Sequence, residues 1–204
     1  MKTQIVLVGA GAFGRETLCW LRDADPRVDV LGYLDDGGNA TDGLPCLGTI
    51  ADYRPQEHHR LMVTIADPKA RSLVVDKLRG RGVKFASLIH PKAIVAPSSK
   101  IGEGCILCPY AVVSVDATLE AFVIVNVHSS VGHDVRIGNC STLSSHVDLT
   151  GGVKLGERVS LGSSACVLPG ISVGDDANIG AGSVVVRSVP AGSTVYTQPA
   201  KRLV

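Results

Sequence analysis

The chain has 204 residues, 45% of them hydrophobic but only 4% aromatic, which suits one or two domains with a core of small aliphatic side chains. A net charge of +1 removes the strong positive field that would select nucleic acid or an anionic membrane. No run reaches the roughly eighteen apolar residues of a membrane span, and the apolar stretch 5–12 turns too soon into glycine to be a signal peptide; both point to a soluble cytoplasmic protein.

In chain order, the apolar run Gln4–Val8 predicts a buried parallel strand. Gly9-Ala-Gly11-Ala-Phe-Gly14 follows, then a helix over 16–23 and a second strand, Asp29–Leu34, ending in Asp35 and Asp36. A third strand is predicted over 59–66, a second helix over 69–80 and a last strand over 82–88. This βαββαβ-like order describes a small Rossmann-like α/β domain, residues 1–86. Its glycine turn would aim free backbone N–H groups at a phosphate, and Asp35, 21 residues after Gly14, stands where an acid bonds a ribose hydroxyl. A tight turn without a ligand fits the same residues. About 86 residues give only half of a dinucleotide fold, so a mononucleotide or a nucleotide-linked sugar fits better than a nicotinamide cofactor.

From Ile89 to Val185, seventeen aliphatic residues stand six apart without a break. Neither a helix nor a flat strand has that period, whereas a hexapeptide-repeat solenoid does. The fourth residue after each is small or Val, as at Cys105, Ala111, Ser129 and Ser141. The next residue is often Gly, as at Gly102, Gly138 and Gly162, which predicts a turn with positive φ or a close backbone approach. Three faces make an eighteen-residue coil, so residues 87–187 form an all-β solenoid of about five coils, followed by a C-terminal tail, 188–204.

The same register places the polar residues. His133 falls two after Val131, near a corner, with Asp134 directly following. A carboxylate beside an imidazole stabilises the imidazolium, and a histidine so placed can take a proton from an attacking amine or hydroxyl. Gly151 lies eighteen residues on, one coil along, where its N–H can stabilise an oxyanion. A solvated surface His–Asp pair accounts for the same two residues equally well. His128 and His146 are also eighteen apart and should stack, whereas His90 is read as structural and His58 and His59 as part of a polar loop. Three histidine ligands would suit zinc, but one coil before His128 stands Tyr110, so a zinc site is the minor alternative. Cys105 and Cys108 form a lone C-x-x-C, and Cys105 takes an inward position as a small buried hydrophobe.

With these motifs in view, the whole chain resembles the sugar-O-acyltransferase family, closest to the bacillosamine- and perosamine-type N-acetyltransferases of nucleotide-linked 4-amino-4,6-dideoxy sugars. The matching stretches are 5–14, Gly32-Tyr-Leu-Asp-Asp36, Leu88-Ile-His-Pro91, Asn126 with Gly132-His-Asp134, Ile137-Gly138, Gly151-Gly-Val and Pro199-Ala-Lys-Arg202. The resemblance implies a homotrimer of left-handed parallel β-helices with acetyl-CoA in the groove between neighbours. It implies His133 as general base, Asp134 as its support and Gly151 as oxyanion donor. It also implies nucleotide-sugar contacts at Gly11, Ala12, Phe13, Asp35 and Asp36, an amine-side contact at Asn126, and acetyl-CoA contacts at Thr142, Ser163 and Ala181. Phe13 and Thr142 stand where relatives carry His, and Thr197-Gln-Pro-Ala replaces Gly-x-Pro-Ala.

The function expected is acetyl transfer from acetyl-CoA to the 4-amino group of a nucleotide-linked aminosugar by direct attack, with no resident metal, no nucleic acid and no membrane insertion. The alternatives are a sialic-acid-type sugar O-acetyltransferase, a zinc enzyme like the gamma-class carbonic anhydrases, and a non-catalytic sugar-nucleotide scaffold.

Overall fold

A six-residue aliphatic period can bury every sixth side chain only if the chain turns after each short strand. A computed structural model, describing residues 4–38 and 43–198, has this form. Two-residue strands such as Ile106–Leu107, Val112–Val113 and Thr118–Leu119 alternate with tight corners. They stack into parallel sheets of seven, six and five strands, a β-solenoid of about six turns rather than the five expected. The seven-stranded sheet is the first face, the six-stranded the second and the five-stranded the third. Each strand pairs with the one eighteen residues on, as Val131 with Val113 and Leu149. The second residue of each strand points inward, and from Leu107 to Val185 these aliphatics are at most 5% exposed. Ile89, on the outermost coil, is 47% exposed because no further coil covers it.

Glycines in the position after the inward residue are there for space. A Cβ on Gly138 would lie 2.5 Å from the Gly156 carbonyl carbon, and one on Gly162 would lie 2.5 Å from the Ala181 nitrogen. Of the two readings of these glycines the close approach holds, and positive φ occurs two residues later, at Tyr110, Phe122, His128, Asp134, Cys140 and His146. Eighteen-residue pairing ends near the last coil: Val173 bridges to Val189, and Asn178 pairs with Thr194, both sixteen residues apart. The ladder thus continues to Thr194–Val195 with two residues deleted from the coil.

The N-terminal α/β portion has β1 (Gln4–Val8), α1 (Ala12–Ala24), β2 (Asp29–Leu34), β3 (His59–Val63) and α2 (Pro68–Arg79). Its sheet is three-stranded and parallel, in the order β2-β1-β3. The last strand expected, over 82–88, reduces to one bridge between Leu61 and Phe85, and Leu88–Ile89 already belongs to the solenoid. His59 opens β3, as the strand over 59–66 implies, rather than lying in the polar loop; it is buried, with Tyr53 Oη 2.8 Å from its Nδ1.

This portion lies along the first face. Outward residues Leu88, Ile106 and Ile124 share a core cluster with Leu7, Leu18 and Met62. Val6, Val63 and Leu78 pack with Phe122 and Cys140. Around this seam, Asp23 of α1 takes Lys92 Nζ at 3.0 Å and His90 Nε2 at 3.1 Å, and Lys92 foremost holds the Asp23 carboxyl below its usual range. Arg79 of α2 donates to Glu103 at 2.6 Å and lies 5.0 Å over the Phe122 ring.

Candidate active site

The corner between the second and third faces carries His133, Asp134 and Gly151. Asp134 holds the positive φ of its corner, 60°, which turns its carboxylate toward the preceding ring. His133 Nδ1 and Asp134 Oδ2 are 2.8 Å apart, and both side chains are largely exposed. One coil on, Gly151 lies directly against the imidazole, and a Cβ there would lie 2.3 Å from His133 Nε2. The next peptide locks the pair, Gly152 N–H donating to the His133 carbonyl at 2.9 Å. Gly151 N–H itself donates to no protein group among the described residues. With Nδ1–H given to the carboxylate, Nε2 keeps its lone pair, and an unengaged N–H lies beside it. That pairing can accept a proton and stabilise a nearby oxyanion.

The other edge of the second face, its corner with the first, holds Asn126, Ser163 and Ala181. Ser163 and Ala181 are exposed and eighteen apart, with Gly182 N–H donating to Ser163 O at 2.8 Å. Below them the His128 and His146 rings stack as expected, 5.0 Å between centroids, and Tyr110 continues the stack at 5.1 Å. Rings lying face to face do not converge on a metal, and no group of three or more His, Cys, Asp or Glu among the described residues is arranged to hold one. Asn126 is half-buried, its Oδ1 accepting Val127 N–H at 2.7 Å, which leaves its amide nitrogen as the donor.

Thr142 departs from expectation. It is 7% exposed on the first face, beneath the α/β portion. Its hydroxyl donates to Ala66 O at 2.9 Å and accepts from Arg71 Nη2 at 2.8 Å. With both roles engaged, the side chain is not presented to a cofactor on the solenoid surface. Burial drives the Cys105 thiol up to about 11 and that of Cys108 higher, and neither is placed to carry an acyl group.

At the carboxyl end of the three-stranded sheet, the glycine turn opens α1. Gly11 is the N-cap, no side chain caps the helix, and no acid occupies its first turn. Gly14 closes the turn, since a Cβ there would lie 2.3 Å from the Gly9 carbonyl oxygen. Asp35 is built into it, accepting Ala10 N–H at 2.8 Å through Oδ2 and Gly37 N–H at 2.8 Å through Oδ1. Asp36 is exposed and caps Ile50 N–H at 2.7 Å. Ala12 is exposed, while Phe13 leans on Trp20 with ring centroids 6.2 Å apart. The Pro199–Arg202 motif lies outside the described residues.

Arg71 was missed in the sequence. Its only signal is its place on the buried stripe of α2, with Pro68, Val75 and Leu78.

A β-solenoid of hexapeptide coils, with an imidazole–carboxylate pair at one corner and an α/β portion bearing an uncapped glycine turn along the first face, defines a hexapeptide-repeat acyltransferase. No family model matches the chain. It is 31% identical over 145 residues to the GDP-perosamine N-acetyltransferase of Escherichia coli O157:H7, a match covering 68% of this chain and 66% of that protein. Among solved structures, PerB from Caulobacter crescentus in complex with CoA and GDP-perosamine matches with a TM-score of 0.89 at 33% identity, over 97% of this chain and 96% of that one. The acetyltransferase domain of PglB from Neisseria gonorrhoeae FA1090, in complex with acetyl coenzyme A, matches with a TM-score of 0.88 at 31% identity, over the whole of both chains. The chain belongs to the nucleotide-aminosugar N-acetyltransferase family of hexapeptide-repeat proteins.

Proposed function

We propose that this protein transfers the acetyl group of acetyl-CoA to the 4-amino group of a nucleotide-linked 4-amino-4,6-dideoxy sugar, in the cytoplasm. The observation that carries this is the contact of Gly151 with His133 Nε2, opposite the 2.8 Å pairing of Nδ1 with Asp134. In the proposed reaction the sugar amine attacks the thioester carbonyl, and His133 Nε2 takes the amine proton. The Gly151 N–H stabilises the oxyanion of the tetrahedral intermediate. The attack forms the C–N bond; collapse of the intermediate restores the carbonyl and breaks the C–S bond, and the imidazolium gives its proton to the departing thiolate. Among the described residues no cysteine is needed as an acyl carrier.

The nucleotide is assigned to residues 1–86. The uncapped N-terminus of α1 at Gly11, Ala12 and Phe13 supports a phosphate there. Asp36 is the exposed acid beside it. Ser163 and Ala181 take acetyl-CoA, and Asn126, with its free amide nitrogen, faces the amine side.

The assembly proposed is a homotrimer of left-handed β-helices joined through the second face. Its outward residues are Ile94, at 67% exposure, Val112, Ser130, Asp148, Cys166 and Val184, at 61%, whereas the third face presents the cations Lys100, Arg136 and Lys154. His133 and Ser163 flank opposite edges of the second face. Packing two copies across it would bring the base of one beside the acetyl-CoA contacts of the next.

Product analysis by nuclear magnetic resonance, after incubation with acetyl-CoA and a panel of GDP- and UDP-linked aminosugars, tests the proposal. The expected product carries an amide at C4. An ester product would transfer the assignment to sugar O-acetylation.

A further inference from the structure

A guanidinium removed from water is costly unless every donor finds an acceptor. Arg71 is 0% exposed on the inner stripe of α2. No carboxylate hydrogen-bonds to it among the described residues. Oxygens from both parts of the molecule satisfy it. Nη1 donates to Ile65 O at 2.6 Å and Ala66 O at 3.0 Å, just beyond β3. Nε donates to Phe122 O at 3.0 Å, and Nη2 to Cys140 O at 2.7 Å, Ser141 O at 3.2 Å and Thr142 Oγ1 at 2.8 Å. The Thr142 hydroxyl closes the network by donating to Ala66 O at 2.9 Å. Desolvation lowers the guanidinium pKa to about 10, which leaves it charged at neutral pH.

Each end of this network leads to half of the proposed site. Residues 64–66 lie under the glycine turn: Thr64 Oγ1 donates to Gly9 O at 2.6 Å, and the Ile65 side chain lies 3.0 Å from where a Gly9 Cβ would be. Cys140, Ser141 and Thr142 belong to the coil that begins at Val131 and carries His133. Lysine has three donors on one atom and cannot span both groups of oxygens, and an apolar residue would leave buried carbonyls unpaired.

We propose that Arg71 is a positioning residue, fixing the glycine turn at a set place relative to the coil that bears His133. Its kinetic consequence rests on the proposed function; its structural consequence does not. The test therefore uses two readouts on the full-length protein. Without ligand, hydrogen exchange should accelerate in Arg71→Met at the amides of 9–14 and 64–66, while the inner coils stay protected. Thr142→Val, which keeps the guanidinium, should show the same pattern more weakly and serves if Arg71→Met does not fold. In turnover, kcat/KM for the nucleotide aminosugar should fall by about 10–100-fold through misplacement of the acceptor, with KM for acetyl-CoA unchanged. Arg71→Lys should lie between wild type and Arg71→Met. Unchanged exchange at the glycine turn in both Arg71→Met and Thr142→Val overturns the proposal, as does an equal loss toward both substrates. Faster exchange with an unaltered acceptor KM would instead count against nucleotide binding at that turn.

Discussion

At Gly151 the space of a side chain is filled by the His133 imidazole, so this position is sensitive in a way its surface location does not suggest. Gly151→Ala puts a methyl carbon where the ring now stands, 2.3 Å from Nε2. The ring is exposed and can swing away, so thermal stability should change little. Activity should not survive as well: kcat is expected to fall about 10²-fold from a displacement of that size at the base. Calorimetry and steady-state kinetics on one preparation separate the two effects, and a variant with normal kcat would contradict the ring's assigned place. Asp134→Asn keeps an acceptor for Nδ1–H and a residue tolerant of positive φ, but removes the charge that stabilises the imidazolium. It should slow turnover, by a smaller factor than loss of the imidazole itself.

At the scale of the element, the inward ladder distributes stability unevenly. Leu143 is 0% exposed in the middle of the solenoid, whereas Ile89 on the outermost coil is 47% exposed. Leu143→Ala should cost about 2–5 kcal/mol and Ile89→Ala less than about 1 kcal/mol. Denaturant unfolding of both variants checks this, and equal losses would mean that the outer coil is covered. The ladder was legible in the sequence because a solenoid repeats one local contact: each aliphatic meets the residue eighteen away. The same register carried His133 to Gly151 and His128 to His146. The corner glycines were legible, and of the two reasons the sequence offered for them the close approach is the one that holds. Positive φ falls two residues later, on Asp116, Asp134 and Asp176 but also on Tyr110, Phe122 and Cys140, whose types give no conformational signal. Thr142 and Arg71 were not legible, since their partners are carbonyls from segments up to 76 residues away in sequence. The last strand of the α/β portion failed to form because Leu88–Ile89 is recruited to the first coil, leaving only Phe85 to bridge Leu61.

At the scale of the molecule, the two faces not covered by the α/β portion differ in character. A trimer built on the second face should have three times the 21.2 kDa of one chain in light scattering at micromolar concentration. Val184→Lys, placing a charge on that face, should shift the mass toward a single chain and remove activity with it. Wild-type protein active at the mass of one chain would contradict a site shared between copies. The central claim is acetyl transfer to a nucleotide-linked amine by a solenoid-borne imidazole. Its most direct test is free-thiol release from acetyl-CoA, with and without a GDP-linked 4-amino-4,6-dideoxy sugar, in wild type and His133→Ala. Release should require the acceptor. In His133→Ala it should fall about 10²–10⁴-fold. Release that ignores the acceptor, or persists undiminished without the imidazole, would contradict the account.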